Sequence, residues 1–261
     1  MSGMVHKASV EKQYATSANL STRIAFQQRF SQNKTGFGPW LMDQYDFPQN
    51  ARVLELGCGT GSMWQGRQDL IDSFSSLTLT DFSAGMLADA QKNLAGMRGI
   101  EFLQADIQSL PFADASFDFI IANMMLYHVP DKPKAIAEVR RVLRPGGMFV
   151  CATYGEEGLP SYVGRLLRGV VEIRPLNTTF TLQNGSALLS QSFSQVEKRD
   201  YPDEFIVDDA DAIVAYLMSM TDMVVAGGAF PADQVRSILA GKIASEGPLH
   251  IPKQYGTFIC R

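Results

Sequence analysis

The sequence predicts a doubly wound α/β fold, a mostly parallel sheet covered by helices, with a ligand crevice at the carboxyl ends of its strands. Three observations carry the prediction. Short apolar runs alternate with longer segments of helical period from Ala51 to Thr153. The first run stops abruptly in a glycine-rich turn, Gly57-Cys58-Gly59-Thr60-Gly61. Later runs end on Asp81, Asp106 and Asn123, polar residues that parallel strands gather along one edge.

Val53-Leu54-Glu55-Leu56 is the first strand. The glycines after it permit positive φ and let a ligand approach the backbone. A turn that leads into a helix also presents free N–H groups. Glu55 turns the reading away from phosphate, because a carboxylate there repels a pyrophosphate and attracts an ammonium group. The glycines also fall as G-x-G-x-G, not the G-x-G-x-x-G of a dinucleotide site.

Trp64–Phe74 is long enough for a helix, and Ser76–Thr80 reads as a short second strand ending at Asp81-Phe82-Ser83. Asp81 lies about twenty residues beyond the glycines, where a strand-end carboxylate can accept hydrogen bonds from both ribose hydroxyls. Ser83 is placed to cap a helix over Ala84–Leu94, with Met86 and Leu87 in its first turns. Ile100–Asp106 is the third strand. Phe117–Asn123 is the fourth, a nearly continuous apolar run as expected of a parallel strand buried on both faces. Met124-Met125-Leu126-Tyr127-His128-Val129-Pro130-Asp131 follows, then a helix over Pro133–Leu143. Arg144-Pro145-Gly146-Gly147 ends that helix and opens a fifth strand, Met148–Thr153.

From Ala51 to Thr153 the chain resembles the class I S-adenosylmethionine (SAM)-dependent methyltransferases of type 11, and within them the small-molecule enzymes similar to those of ubiquinone and menaquinone biosynthesis. The resemblance implies a Rossmann-like seven-stranded sheet with an antiparallel last strand, a helical N-terminal lid and a helical insertion after the fifth strand. It divides the chain into a lid (1–50), a SAM-binding core (51–155) and a variable region of helices and the last two strands (156–261). It places SAM among Glu55, Gly57, Cys58, Gly59, Gly61, Asp81, Phe82, Met86, Asp106, Ile107 and Asn123. Glu55 and Asn123 then face the methionine moiety, Asp81 the ribose, and Asp106 with Ile107 the adenine. Asp118, at the start of the fourth strand, is structural.

Composition bounds the rest. The 261 residues are 46% hydrophobic and 19% charged, ample for a packed core. The net charge of -4 and the lack of any Lys/Arg cluster argue against a nucleic-acid substrate. Cys58, Cys151 and Cys260 have no framework spacing and are expected to be reduced in a cytoplasmic protein. No apolar leader or membrane-length run is present, and His6, His128 and His250 are too scattered to suggest a metal site.

The flanking regions say least. Residues 1–50 have a helical pattern broken at Gly36, Gly38 and Pro39. Either they close over the cofactor as a lid or they only cover one face of the sheet. After the fifth strand, helices are expected over Leu159–Ile173, Gly185–Ser192, Ala210–Met220 and Ala232–Ser245, with strands over Val196–Tyr201 and Tyr255–Cys260. In the resembling fold the last strand inserts antiparallel into the sheet edge, and the same is expected here.

Methyl transfer asks the protein mainly for positioning and water exclusion. A general base helps when the acceptor carries a proton. His128, after the fourth strand, is the leading candidate for a base or an orienting group, with Tyr127 and Tyr14 behind it. The function expected is methyl transfer from SAM to an oxygen, nitrogen or carbon of a small molecule. The competing readings are a SAM-binding protein that performs no transfer, as scaffold or regulator, and an NAD-dependent oxidoreductase. The acceptor and the oligomeric state are left open.

Overall fold

The computed structural model describes residues 17–175, 178–225 and 230–261. The chain forms two compact units, one of Phe37–Tyr154, Thr179–Asp200 and Gly256–Arg261, the other of Met1–Gly36, Gly155–Thr178 and Tyr201–Tyr255.

The first unit is built on a seven-stranded sheet in the order β3-β2-β1-β4-β5-β9-β6. Its strands are β1 (Arg52–Leu56), β2 (Ser76–Asp81), β3 (Ile100–Gln104), β4 (Phe117–Asn123), β5 (Leu143–Tyr154), β6 (Val196–Tyr201) and β9 (Tyr255–Cys260). β1 to β5 pair in parallel. β9 is antiparallel: Gln195 and Arg261 exchange both backbone hydrogen bonds, the signature of an antiparallel pair. It lies between β5 and β6, so the last strand is inserted antiparallel into that end of the sheet, as expected, and β6 is the outermost strand.

Alternation along the central strands splits the core into two layers, as a period of two requires. Leu54, Leu56, Ile120, Ala122, Phe149 and Cys151 face one layer. Val53, Leu77, Leu79, Phe119, Ile121 and Val150 face the other. The chain winds outward from β1 through β2 to β3, then crosses to the opposite side of β1 to form β4. The crevice belongs at that reversal, beyond the carboxyl ends of β1 and β4.

Local departures from expectation have local causes. Trp64–Phe74 is not one helix but a 3-10 turn, Ser62–Trp64, and a short helix, Gln68–Asp72. Gly66 between them sits at φ 71°, which no right-handed helix accommodates. β3 stops at Gln104, because Asp106 turns the chain and bridges to Ser109. β5 begins five residues early, at Leu143, and a register shift against β4 absorbs Arg144–Gly147. Ser83 caps the helix Ala84–Asn93 as expected, accepting the Met86 N–H.

The second unit has its own core, with Phe26 and Phe30 of the helix Ser17–Phe30 packed among Phe205, Tyr216, Leu217, Leu239 and Ile251. Its helices Leu159–Leu166, Ala210–Met218 and Ala232–Glu246 lie where periodicity placed them. The first is shorter than expected: Ile173 folds back onto Gly164 and bridges to Val225. A two-stranded antiparallel sheet, β7 (Glu204–Val207) with β8 (Leu249–Pro252), went unforeseen. Its strands are only four residues long and far apart in sequence, so neither carries a readable alternation.

Candidate active site

Among the described residues, the candidate site lies in the seven-stranded unit, along the carboxyl ends of β1 to β4. Positions 57 and 59 of the glycine turn have different requirements. A Cβ built on Gly57 would sit 2.9 Å from Met125 Cβ, so glycine is what lets the turn pass against the chain leaving β4. Gly59, at φ 56°, meets nothing within 4 Å of such an atom: its backbone borders open space. Beside it Asp81, at the end of β2, accepts the Gly59 N–H at 2.9 Å on one oxygen and the Ser83 N–H at 2.8 Å on the other. The β2 carboxylate and the β1 turn are thereby held in one geometry.

Glu55 is buried beneath the turn, and its carboxylate accepts from the Trp64 indole N–H at 2.6 Å. Burial pushes its pKa up to about 7, with the Asp81 charge adding and the indole hydrogen bond opposing. No other side-chain partner of Glu55 is found among the described residues, so this carboxylate is short of positive partners. The Cys58 thiol is pushed far upward by its own burial and by the charges of Glu55 and Asp81, which makes it a poor nucleophile. The backbone of Cys58 matters instead, its N–H tying the turn to Thr80 O at 2.9 Å.

Asn123 ends β4. Its Oδ1 accepts from the Tyr45 hydroxyl at 2.7 Å, and its Nδ2 lies 3.7 Å from the Met63 sulfur. Met124 follows at φ 53°, a left-handed conformation that costs a non-glycine residue about 1–2 kcal/mol. Such strain is typical of segments aimed at a ligand. Asp106 accepts the Gln108 N–H at 2.9 Å and Ile107 is buried, while Phe82, at 49% exposure, stands out from the end of β2. Met86 is half-buried in the first turn of its helix.

His128 closes a 3-10 turn, Leu126–His128, with its ring 4.4 Å from that of Tyr127, which lies 4.7 Å from the Tyr154 ring. Burial, helped by the Lys132 charge, pushes His128 down to about 4, so the imidazole is neutral at pH 7. Tyr14 lies outside the described residues. Among the described residues no group of three or more His, Cys, Asp or Glu could hold a metal ion, and no helix is long and apolar enough to cross a membrane.

Residues 54–151 match a family model described as "Methyltransferase domain". Over this segment the chain is similar to methyltransferase domains. Demethylmenaquinone methyltransferase of Staphylococcus epidermidis is 32% identical over 143 residues, 55% of this chain and 57% of that protein. The chain therefore spans less than two thirds of that relative's length. Among solved structures, the YcgJ protein of Bacillus subtilis superposes with a TM-score of 0.57 at 18% identity, covering 85% of this chain and 96% of that one. A phosphoethanolamine N-methyltransferase 2 of Haemonchus contortus, solved with phosphomonomethylethanolamine and S-adenosylhomocysteine, superposes at 0.50 and 16% identity over 92% of this chain and 52% of that one. At these identities the two structures establish the fold.

The segment similar to methyltransferase domains thus gathers Glu55, Gly57, Cys58, Gly59, Asp81 and Asn123 around one strand-end edge. Three participants escaped the sequence reading. Trp64 and Met63 follow the glycines within a few residues, and an indole nine residues after Glu55 was a usable signal. Tyr45 gave none, because it lies in a segment without period or motif.

Proposed function

We propose that the chain transfers a methyl group from SAM to a small-molecule acceptor. One observation carries the reading: in a segment similar to methyltransferase domains, the open backbone at Gly59 adjoins a strand-end carboxylate, Asp81, at the sheet's reversal point. The residues present fit the cofactor. Gly59 leaves room against the main chain, Glu55 is a buried carboxylate complementary to an ammonium group, and Asp81 suits a vicinal diol. Bound there, SAM supplies a methyl on a positively charged sulfur, which is electrophilic without further activation.

The protein's own part is to bind, orient and exclude water. Asp81 accepts the ribose hydroxyls, Glu55 faces the methionine ammonium, and Asp106 with Ile107 and Phe82 frames the adenine. His128 is neutral, so it accepts a hydrogen bond from a hydroxyl or amine and orients it; a pKa of about 4 leaves it a weak store for the proton. Tyr127 shares that wall. Relatives named for demethylmenaquinone support a small-molecule acceptor rather than a macromolecule.

Calorimetric titration with SAM and S-adenosylhomocysteine, with NAD as control, tests the cofactor. The adenosyl ligands are expected to bind and NAD not to. Asp81→Ala is expected to weaken adenosyl binding by about 1–3 kcal/mol, and an unchanged affinity would remove Asp81 from the ribose. Adenosyl binding without methyl transfer to phenols, amines or enolisable acids would favour the non-catalytic reading.

A further inference from the structure

We infer that Tyr45 is a positioning residue that sets the orientation of the Asn123 amide, so that its N–H donors are available to the carboxylate of the cofactor's amino-acid moiety; this rests on the SAM reading above. Tyr45 is buried against Phe47 and Phe119, with ring centroids at 5.8 and 5.9 Å, so its ring is fixed by packing. Its hydroxyl is 2.7 Å from Asn123 Oδ1.

An amide can be turned end for end at little steric cost, so its hydrogen bonds decide which end points where. In the observed orientation Tyr45 donates to the amide oxygen and the amide nitrogen rests against the Met63 thioether, a weak acceptor. Turned over, the amide oxygen would face the thioether lone pairs, and the buried hydroxyl would lose its acceptor. An orphaned buried donor carries the full desolvation penalty of that group. The phenol therefore selects one of two otherwise similar states.

The consequence falls on the ligand. β1 and β4 pair in register at Glu55↔Ile121, so two residues further along each strand Gly57 lies level with Asn123. The amide thus stands on the same edge as Glu55 and the glycine turn. The one partner of Nδ2 among the described residues is the Met63 sulfur, which leaves a hydrogen-bond donor for an incoming carboxylate. A carboxylate for the ammonium and an amide donor for the carboxylate make a matched pair for an α-amino acid group. Removing the hydroxyl lets the amide populate both orientations and dilutes that match.

The test is Tyr45→Phe, which keeps the packed ring and deletes only the hydroxyl. Calorimetry would compare S-adenosylhomocysteine with 5′-methylthioadenosine, which has the adenosine and sulfur but no amino acid. S-adenosylhomocysteine is expected to bind about three- to tenfold more weakly, the range of one hydrogen bond, with 5′-methylthioadenosine unchanged. In an Asn123→Ala background the same change should add no further loss. Equal weakening of both ligands, no weakening of either, or an additive loss in that background would overturn the inference. Wild-type protein that binds neither ligand would instead overturn the SAM reading itself.

Discussion

Two buried carboxylates, one in each compact unit, are treated in opposite ways. Asp203, in the second unit, is surrounded by donors: the Gln32, Asn33 and Glu204 N–H groups, the Ser31 hydroxyl and the Lys253 ammonium at 2.7 Å. Burial disfavours its charge, but those hydrogen bonds and Lys253 outweigh it and hold the carboxyl below its ordinary range. Lys253 is also pulled down, because its burial outweighs Asp203, and its ammonium lies 5.4, 5.1 and 5.2 Å from the centroids of the Tyr201, Phe205 and Tyr255 rings. Glu55, whose residue is 3% exposed, has the Trp64 indole alone and is pushed up. The difference separates architecture from candidate site. A buried charge that the protein satisfies completely ties segments together, whereas one left short is poised for an outside partner.

The sharpest way to break this comparison is Asp203→Ala. It strands a buried ammonium whose side chain is 3% exposed, and loss of one partner of such a pair costs about 3–5 kcal/mol. Urea unfolding followed by circular dichroism checks it, and a loss under about 1 kcal/mol would mean that the pair is not what secures residues 31–33.

Glu55 predicts a pH signature of a definite sign. Its folded pKa of about 7 lies above the ordinary 4.5, so between those values the folded state holds a proton that the unfolded state has lost. Stability from this group is full below about pH 4.5 and is lost as pH rises through about 7, by roughly 3 kcal/mol in all. Glu55→Gln should flatten that slope in ligand-free protein, as measured by unfolding at pH 5 and pH 8. An unchanged slope would show that Glu55 is ionised throughout. The depressed Asp203 carboxyl has the opposite sign, its contribution being lost only as pH falls through its folded pKa.

Within the site itself the glycines sharpen the contrast. Gly57→Ala drives a Cβ to 2.9 Å from Met125 and should cost about 2–3 kcal/mol through strain and overpacking. Gly59→Ala meets open space and should cost only the left-handed strain of about 1–2 kcal/mol. Its larger effect should be on SAM affinity, measured by calorimetry. Equal stability losses with equal binding would mean that the space at Gly59 is not the ligand's. The smallest expected effect is at His128: neutral down to about pH 4, it should leave no inflection in kcat between pH 5.5 and 8. A limb near pH 6.5 that vanishes in His128→Gln would show that the acceptor complex restores its basicity.

The sequence by itself determined the sheet from β1 to β5, because buried parallel strands are apolar throughout and their ends carry the polar residues a crevice needs. It determined the cap at Ser83 and the polar edge of Asp81, Asp106 and Asn123 for the same local reason. Tertiary structure decided what local pattern cannot encode. It decided that β9 enters between β5 and β6, that β7 pairs with β8 across the intervening helices Ala210–Met218 and Ala232–Glu246, and that Asp203 is answered by Lys253. It also decided that Tyr45, in a segment without signal, meets the Asn123 amide. These contacts join residues far apart in the chain, and their partners are chosen by the shape and polarity of the folded interior rather than by spacing along the backbone.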